Sequence, residues 1–170
     1  IAHYNIAKAL EKKNIEYIDI NTRATYFNSI LWSSQIELVD SYMFTYYSLF
    51  DKSMPVFTKK FPKNHDMLQP FIDEKRIQQL IILSNNHYIM TNENDELIFW
   101  NLKLGLKGFD EKASPYIWSY IIEKNNKGQL LLGETNEKMD ALKIQEGRSF
   151  RNNRKYSEEF SKFYERLKGI

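Results

Sequence analysis

The chain has no cysteine among its 170 residues. That excludes disulfides, thiolate metal sites and a cysteine nucleophile, but leaves the compartment open, because cysteine-free domains occur on both sides of a membrane. It has three histidines, His3, His65 and His87, in unrelated contexts, and none is paired at the helical spacing of zinc ligands. Charge of one sign is also lacking: 24 basic residues face 22 acidic ones, a net of +2. Electrostatics therefore nominates neither nucleic acid nor a membrane surface as partner. The longest apolar run, 80–83, falls far short of the roughly 20 residues that cross a bilayer. No basic stretch followed by an apolar h-region opens the chain.

What is present is a 42% apolar and 15% aromatic composition, enough to bury a sizeable core. In 1–14 the apolar Ala2, Ile6, Ala9 and Leu10 recur at helical spacing, and 15–20 then turns β-branched and aromatic, which predicts a helix followed by a strand. Residues 29–38 alternate, with Ile30, Trp32, Ile36 and Leu38 on one face; after a turn at Asp40 and Ser41 the aromatic run 42–50 completes a hairpin. Three of the four prolines fall within 51–71, which reads as mostly ordered loop. A helix is expected from Asp73, as cap or first-turn residue, to Asn85 and Asn86. A second hairpin spans 87–91 and 96–104, with Leu97, Phe99, Asn101 and Lys103 sharing one face. A third pair covers 116–123 and 129–132, with its turn at 125–128. Tyr156, Phe160, Phe163, Tyr164 and Leu167 mark a last helix, stopped at Gly169, after a polar connection over 134–155. The expectation is one soluble α+β domain over 1–170: a mainly antiparallel, hairpin-built sheet with packing helices at the N-terminus, middle and C-terminus.

No catalytic constellation emerges, and no metal ligand set. His65 and Asp66 are adjacent but lie between two prolines, and read as a loop histidine beside a turn aspartate. The Gly105 to Gly108 stretch is too short and too basic for a phosphate-cradling loop. Carboxylate pairs such as Glu16 with Asp19, or Glu37 with Asp40, read as solvated edge charges. Two basic clusters, Lys59, Lys60 and Lys63 around Phe61, and Lys143, Arg148, Arg151, Arg154 and Lys155 around Phe150, sit in loop-like segments with acid nearby and read as solvated surface.

Three strings carry a resemblance: Thr25-Tyr-Phe-Asn28-Ser-Ile-Leu31-Trp32, Tyr46-Tyr47-Ser48-Leu49-Phe50-Asp51 and Phe61-Pro62-Lys63-Asn64. With them the chain, over about 5–123, resembles the soluble C-terminal region of the membrane-bound metal-dependent hydrolase family, inner-membrane proteins also described as LexA-binding hydrolases. The resemblance implies transmembrane helices N-terminal to this region that carry a His-rich motif and bind a divalent metal. It implies no cofactor in this region, and the protein's own membrane domain as first partner. Family members show Asp-Leu-Arg-x-Gly late in the region, where this chain reads Asn101-Leu-Lys103-Leu-Gly105, losing the acid and exchanging a guanidinium fork for a point charge. The start at Ile1, inside an amphipathic pattern, is what a region cut from a longer protein would show.

The resulting expectation is a soluble domain of a membrane-anchored metal-dependent hydrolase, serving substrate access, docking or regulation, membrane-associated through the preceding region and without insertion or nucleic-acid binding of its own. Its candidate ligand-binding residues are Asn28, Trp32, Tyr47, Asn101 and Lys103. The catalytic residues are unassigned. A free-standing module that receives a ligand or protein on an aromatic-rich sheet, with Trp32, Tyr46, Tyr47, Phe99 and Trp118 as its surface, is the alternative; a soluble hydrolase using His65 and Asp66 is a third reading.

Overall fold

The computed structural model describes residues 1–25, 29–93, 95–106, 118–124, 130–134, 161 and 163–169. The α+β class holds, and the expected hairpins are distributed over two antiparallel four-stranded sheets. The chain divides into two compact units. The first holds Ile1–Phe61 with the described residues of Gly105–Ser114 and Asn152–Ile170; the second holds Pro62–Leu104 with those of Pro115–Arg151.

The first unit begins with helix α1 (Ala2–Lys12), which buries Ala2, Ile6, Ala9 and Leu10, the residues its periodicity singles out. Full burial of Ile6 and Leu10 contributes roughly 1.5–3 kcal/mol each. Asn14 stops the helix in the left-handed region, at φ 52°. Its N–H donates to the Glu11 carbonyl and that of Ile15 to the Leu10 carbonyl, so two end carbonyls that the helix leaves open are satisfied. Strands β1 (Asp19–Ala24), β2 (Leu31–Glu37), β3 (Ser41–Ser48) and β4 (Phe61–Pro62) follow in sheet order.

β1 lies four residues beyond the start expected for it. Ile15, counted as strand from its branching, instead packs against the core that α1 covers, and Ile18 is 61% exposed. The polar sequence DINTRA pairs because β2 offers it a full ladder, from Asp19↔Glu37 to Ala24↔Trp32. Every residue of β3 is buried, so the aromatic run 42–48 is core on both sheet faces. On the face beneath α1, Ile20, Ile36, Met43 and Tyr47 meet Ile6 and Leu10.

In the second unit, β5 (Tyr88–Glu93), β6 (Glu96–Asn101), β7 (Trp118–Lys124) and β8 (Leu130–Glu134) form a meander. Helix α2 (Lys75–Leu83) and a 3-10 helix (His65–Phe71) supply Ile77, Leu80 and Leu68 to a core with Tyr88, Met90, Phe99 and Ile122. The segment 51–71 is thus not all loop: a 3-10 turn accommodates Pro70, since so short a piece needs few donors in succession. α2 begins after Glu74, without a side-chain cap from Asp73. It ends as α1 does, with Asn85 and Asn86 at positive φ, donating to the Ile82 and Ile81 carbonyls. Residues 163–167 are helical and Gly169 has φ 78°, as expected. The turn at 125–128, the connection 135–155, and Tyr156 and Phe160 lie outside the described residues.

Candidate functional site

In the first unit an open cleft of about 570 Å3 lies beside β1, lined by Ala2 and His3 of α1, Ile20 and Thr22 of the strand, and Trp32 and Leu49. The register places Thr22 opposite Ser34, and Ser34 opposite Thr45, a row of hydroxyls across an otherwise apolar face. His3 Nδ1 is 3.2 Å from Thr22 Oγ1, which is 2.6 Å from Ser34 Oγ. Ser34 and Thr45 are fully buried, and the Thr45 hydroxyl donates to the Val56 carbonyl at 2.7 Å. An exposed imidazole is thereby linked through one hydroxyl to a buried one. Such a chain can hold an imidazole in place and present its outer nitrogen to the cleft.

Trp32 forms one wall of this cleft, its ring half-buried and its indole N–H donating to the Ser29 carbonyl at 2.9 Å. Tyr47 pairs with Trp32 across β2 and β3, is 7% exposed, and accepts from the Asn5 side-chain amide at 2.6 Å. Asn28 lies outside the described residues. Asn101 and Lys103 belong to the second unit. β6 ends at Asn101, so the strand alternation expected to set Lys103 beside it does not reach that far. The Asn101 side-chain Oδ1 accepts the backbone N–H of Lys103 at 2.9 Å, and the Lys103 ammonium donates to the Leu83 carbonyl at the end of α2, at 3.3 Å. Of the aromatic surface expected for a free-standing module, Tyr46, Tyr47 and Phe99 are buried, and Trp118 is 45% exposed.

Of the three strings behind the family resemblance, two act at chain reversals and the third ties its segment to β5. The Thr25 N–H and hydroxyl both donate to the Leu31 carbonyl, at 2.9 and 3.0 Å, closing the β1–β2 loop. Asp51 accepts the Ser48 N–H at 2.9 Å and grips Arg166 through both carboxylate oxygens, at 2.5 and 2.7 Å. Arg166 also donates to the Tyr46 carbonyl, and the Ser48 hydroxyl donates to that of Leu167. Gly169 completes this clamp: a Cβ there would stand 2.7 Å from the Phe50 backbone. In the second unit the Asn64 amide donates to the Met90 carbonyl, and the Met90 N–H to the Lys63 carbonyl, both at 3.0 Å.

His65 is stacked on Tyr88 with centroids 4.0 Å apart, and Tyr88 on Phe99 at 4.6 Å. Its Nε2 lies 2.9 Å from the Tyr88 carbonyl, while Asp66 is exposed. Burial pushes the Tyr88 phenol above its ordinary value. Lys59 sits over the Phe61 ring; the second basic cluster lies outside the described residues. On the opposite face of β2 from the hydroxyl row, Gln35 buries a side-chain N–H2 that has no hydrogen-bond partner among the described residues. Among the described residues no group of three or more His, Cys, Asp and Glu is placed to hold a metal, and no helix is long and apolar enough to cross a membrane.

Sequence reasoning missed His3, Thr22 and Ser34, and also the Asp51–Arg166 pair. The hydroxyls at alternate strand positions were the only local signal, and pairing them needs the register. Comparison with protein-family profiles, curated proteins and solved structures finds no match to the chain.

Proposed function

We propose that this chain is the docking or regulatory region of a membrane-anchored metal-dependent hydrolase whose reactive residues lie in a membrane part N-terminal to it. The observation that carries the reading is the use made of the family-like strings. Thr25 closes the β1–β2 connection and Asp51 the 48–51 reversal, while Asn64 ties its segment to β5, so the polar residues most typical of the resemblance shape the fold. The cleft beside β1 is the open surface that this reading assigns to docking.

Titrating the chain with zinc, manganese and magnesium in a calorimeter tests where the chemistry lies. No stoichiometric binding is expected. Tight one-to-one binding of any of the three would place a metal centre in this region and overturn the docking role. The gene upstream of Ile1 is expected to encode apolar spans that contain histidines.

A further inference from the structure

We propose that the outer edge of β1 receives an extended segment of a partner protein as a fifth, antiparallel strand, with a basic residue of that segment opposite Asp19. The inference deepens the docking role and rests on it.

Among the described residues the hydrogen-bond phase of the sheet leaves this edge unpaired. The Thr25 N–H bonds the Leu31 carbonyl, and bonded and non-bonded pairs alternate along an antiparallel ladder. With the register Arg23↔Ser33 and Asn21↔Gln35, the odd residues of β1 bond β2, and Ile20, Thr22 and Ala24 direct their N–H and C=O groups away from it. The other side of β2 agrees in phase: Leu49 N–H bonds the Ile30 carbonyl and Leu38 N–H the Ser41 carbonyl, so even residues of β2 face β3. β1 pairs with β2 alone among the described strands. Three donors and three acceptors therefore stand in a row at strand spacing.

The surroundings suit a strand and no other backbone. Edges are usually blunted by proline, lysine or a covering segment; β1 has neither residue, and its one basic side chain, Arg23, has its guanidinium against Gly105. The cleft runs along the same edge, so alternate side chains of an added strand would enter between Ile20, Thr22, Trp32 and the first turn of α1. Charge selects the occupant further. Asp19 is exposed and stands directly opposite Glu37, with Glu16 three residues before it. A lysine or arginine on the incoming strand would stand opposite Asp19 with the complementary charge.

The test uses the 170-residue chain and a fluorescein-labelled peptide of alternating valine and threonine with one lysine near its end, read by anisotropy. Saturable one-to-one binding is expected. N-methylating the peptide amides on its bonding edge should weaken it at least tenfold, while methylating the other alternate set should leave it intact, because only one edge pairs. Ala24→Pro removes an outward N–H at an edge position where proline is tolerated, so thermal stability should persist while affinity falls about tenfold. Asp19→Asn should weaken the lysine peptide alone, by about threefold at low salt. Hydrogen exchange supplies a second readout: the Thr22 and Ala24 amides should become protected on binding.

Absence of saturable binding, or binding indifferent to both the methylation pattern and Ala24→Pro, overturns the proposal. So does a concentration-dependent dimer that Ala24→Pro abolishes, which would give the edge to a second copy of the chain. Failure of the peptide with a silent metal titration removes the β1 edge and leaves the docking role; tight metal binding removes the docking role.

Discussion

Beneath α1 the first sheet carries a row of hydroxyls, a histidine joined to it, and an open cleft beside β1, which among the described residues pairs on one side alone. Beneath α2 and the 3-10 helix the second sheet carries a stack of rings, His65 on Tyr88 on Phe99, over a closed apolar core. Both are four-stranded antiparallel sheets with a helix on one face, so topology does not separate them. The difference lies in where hydrogen-bonding capacity is left over. In the second unit the side chains singled out from the sequence, His65, Asn101 and Lys103, lie at or near backbone carbonyls and amides of the fold itself. In the first unit His3 and Trp32 line a cleft. A unit whose singled-out side chains bond its own backbone is a support; one that sets an imidazole and a strand edge beside a cleft has surface to offer a partner.

Substitutions can break this contrast at graded cost. The largest loss is expected for Phe99→Ala, which empties a fully buried ring site between Met90 and Tyr120 and should cost about 3–5 kcal/mol in urea unfolding. Asp51→Ala should follow at about 2–4 kcal/mol, because it strands a largely buried guanidinium and frees the Ser48 N–H. Neighbouring residues of β2 should then move in opposite directions. Ser34→Ala removes a partner of Thr22 and should lose about 1 kcal/mol, whereas Gln35→Met replaces an unpartnered buried amide and should be neutral or gain up to about 1 kcal/mol.

Tyr88→Phe should change least at neutral pH, by a few tenths of a kcal/mol, since the ring stack survives. Its signature is alkaline. The folded phenol titrates above the ordinary value of 10.0, so the folded state holds its proton after the unfolded chain has lost it. Tyr88 therefore contributes stability that is full below pH 10.0 and lost as pH rises through the elevated folded value. Unfolding curves at rising alkaline pH should show a slope in the parent that Tyr88→Phe reduces. An unchanged slope would remove burial of this phenol as its cause.

The helices and hairpins were legible because their signals are local. Asn14 and Asn85 were readable as stops since asparagine tolerates the left-handed region that ends both helices. β1 was not readable at its true position, because DINTRA has little intrinsic strand preference and takes its conformation from β2. Of the site, Trp32 was legible as an aromatic on a half-buried strand. His3, Thr22 and Ser34 were not, being brought together only by the packing of α1 on the sheet and by a register that no single segment encodes. Nor could the sequence expose Asn101 as the end of its strand, since the alternation continues through Leu104 while the chain turns at 103–104.

The Asp51–Arg166 clamp joins positions 115 residues apart. During synthesis Asp51 therefore leaves the ribosome long before the arginine that will hold it exists. Until then the 48–51 reversal depends on its own short-range bonds, chiefly Ser48 N–H to the carboxylate and Asp51 N–H to the Ser48 carbonyl. The first unit can build its sheet early, but it closes late, because so distant a contact bears the full entropy of gathering the intervening chain. Whatever assembles on the β1 edge thus meets a sheet whose pairing is complete before its last fastening is made.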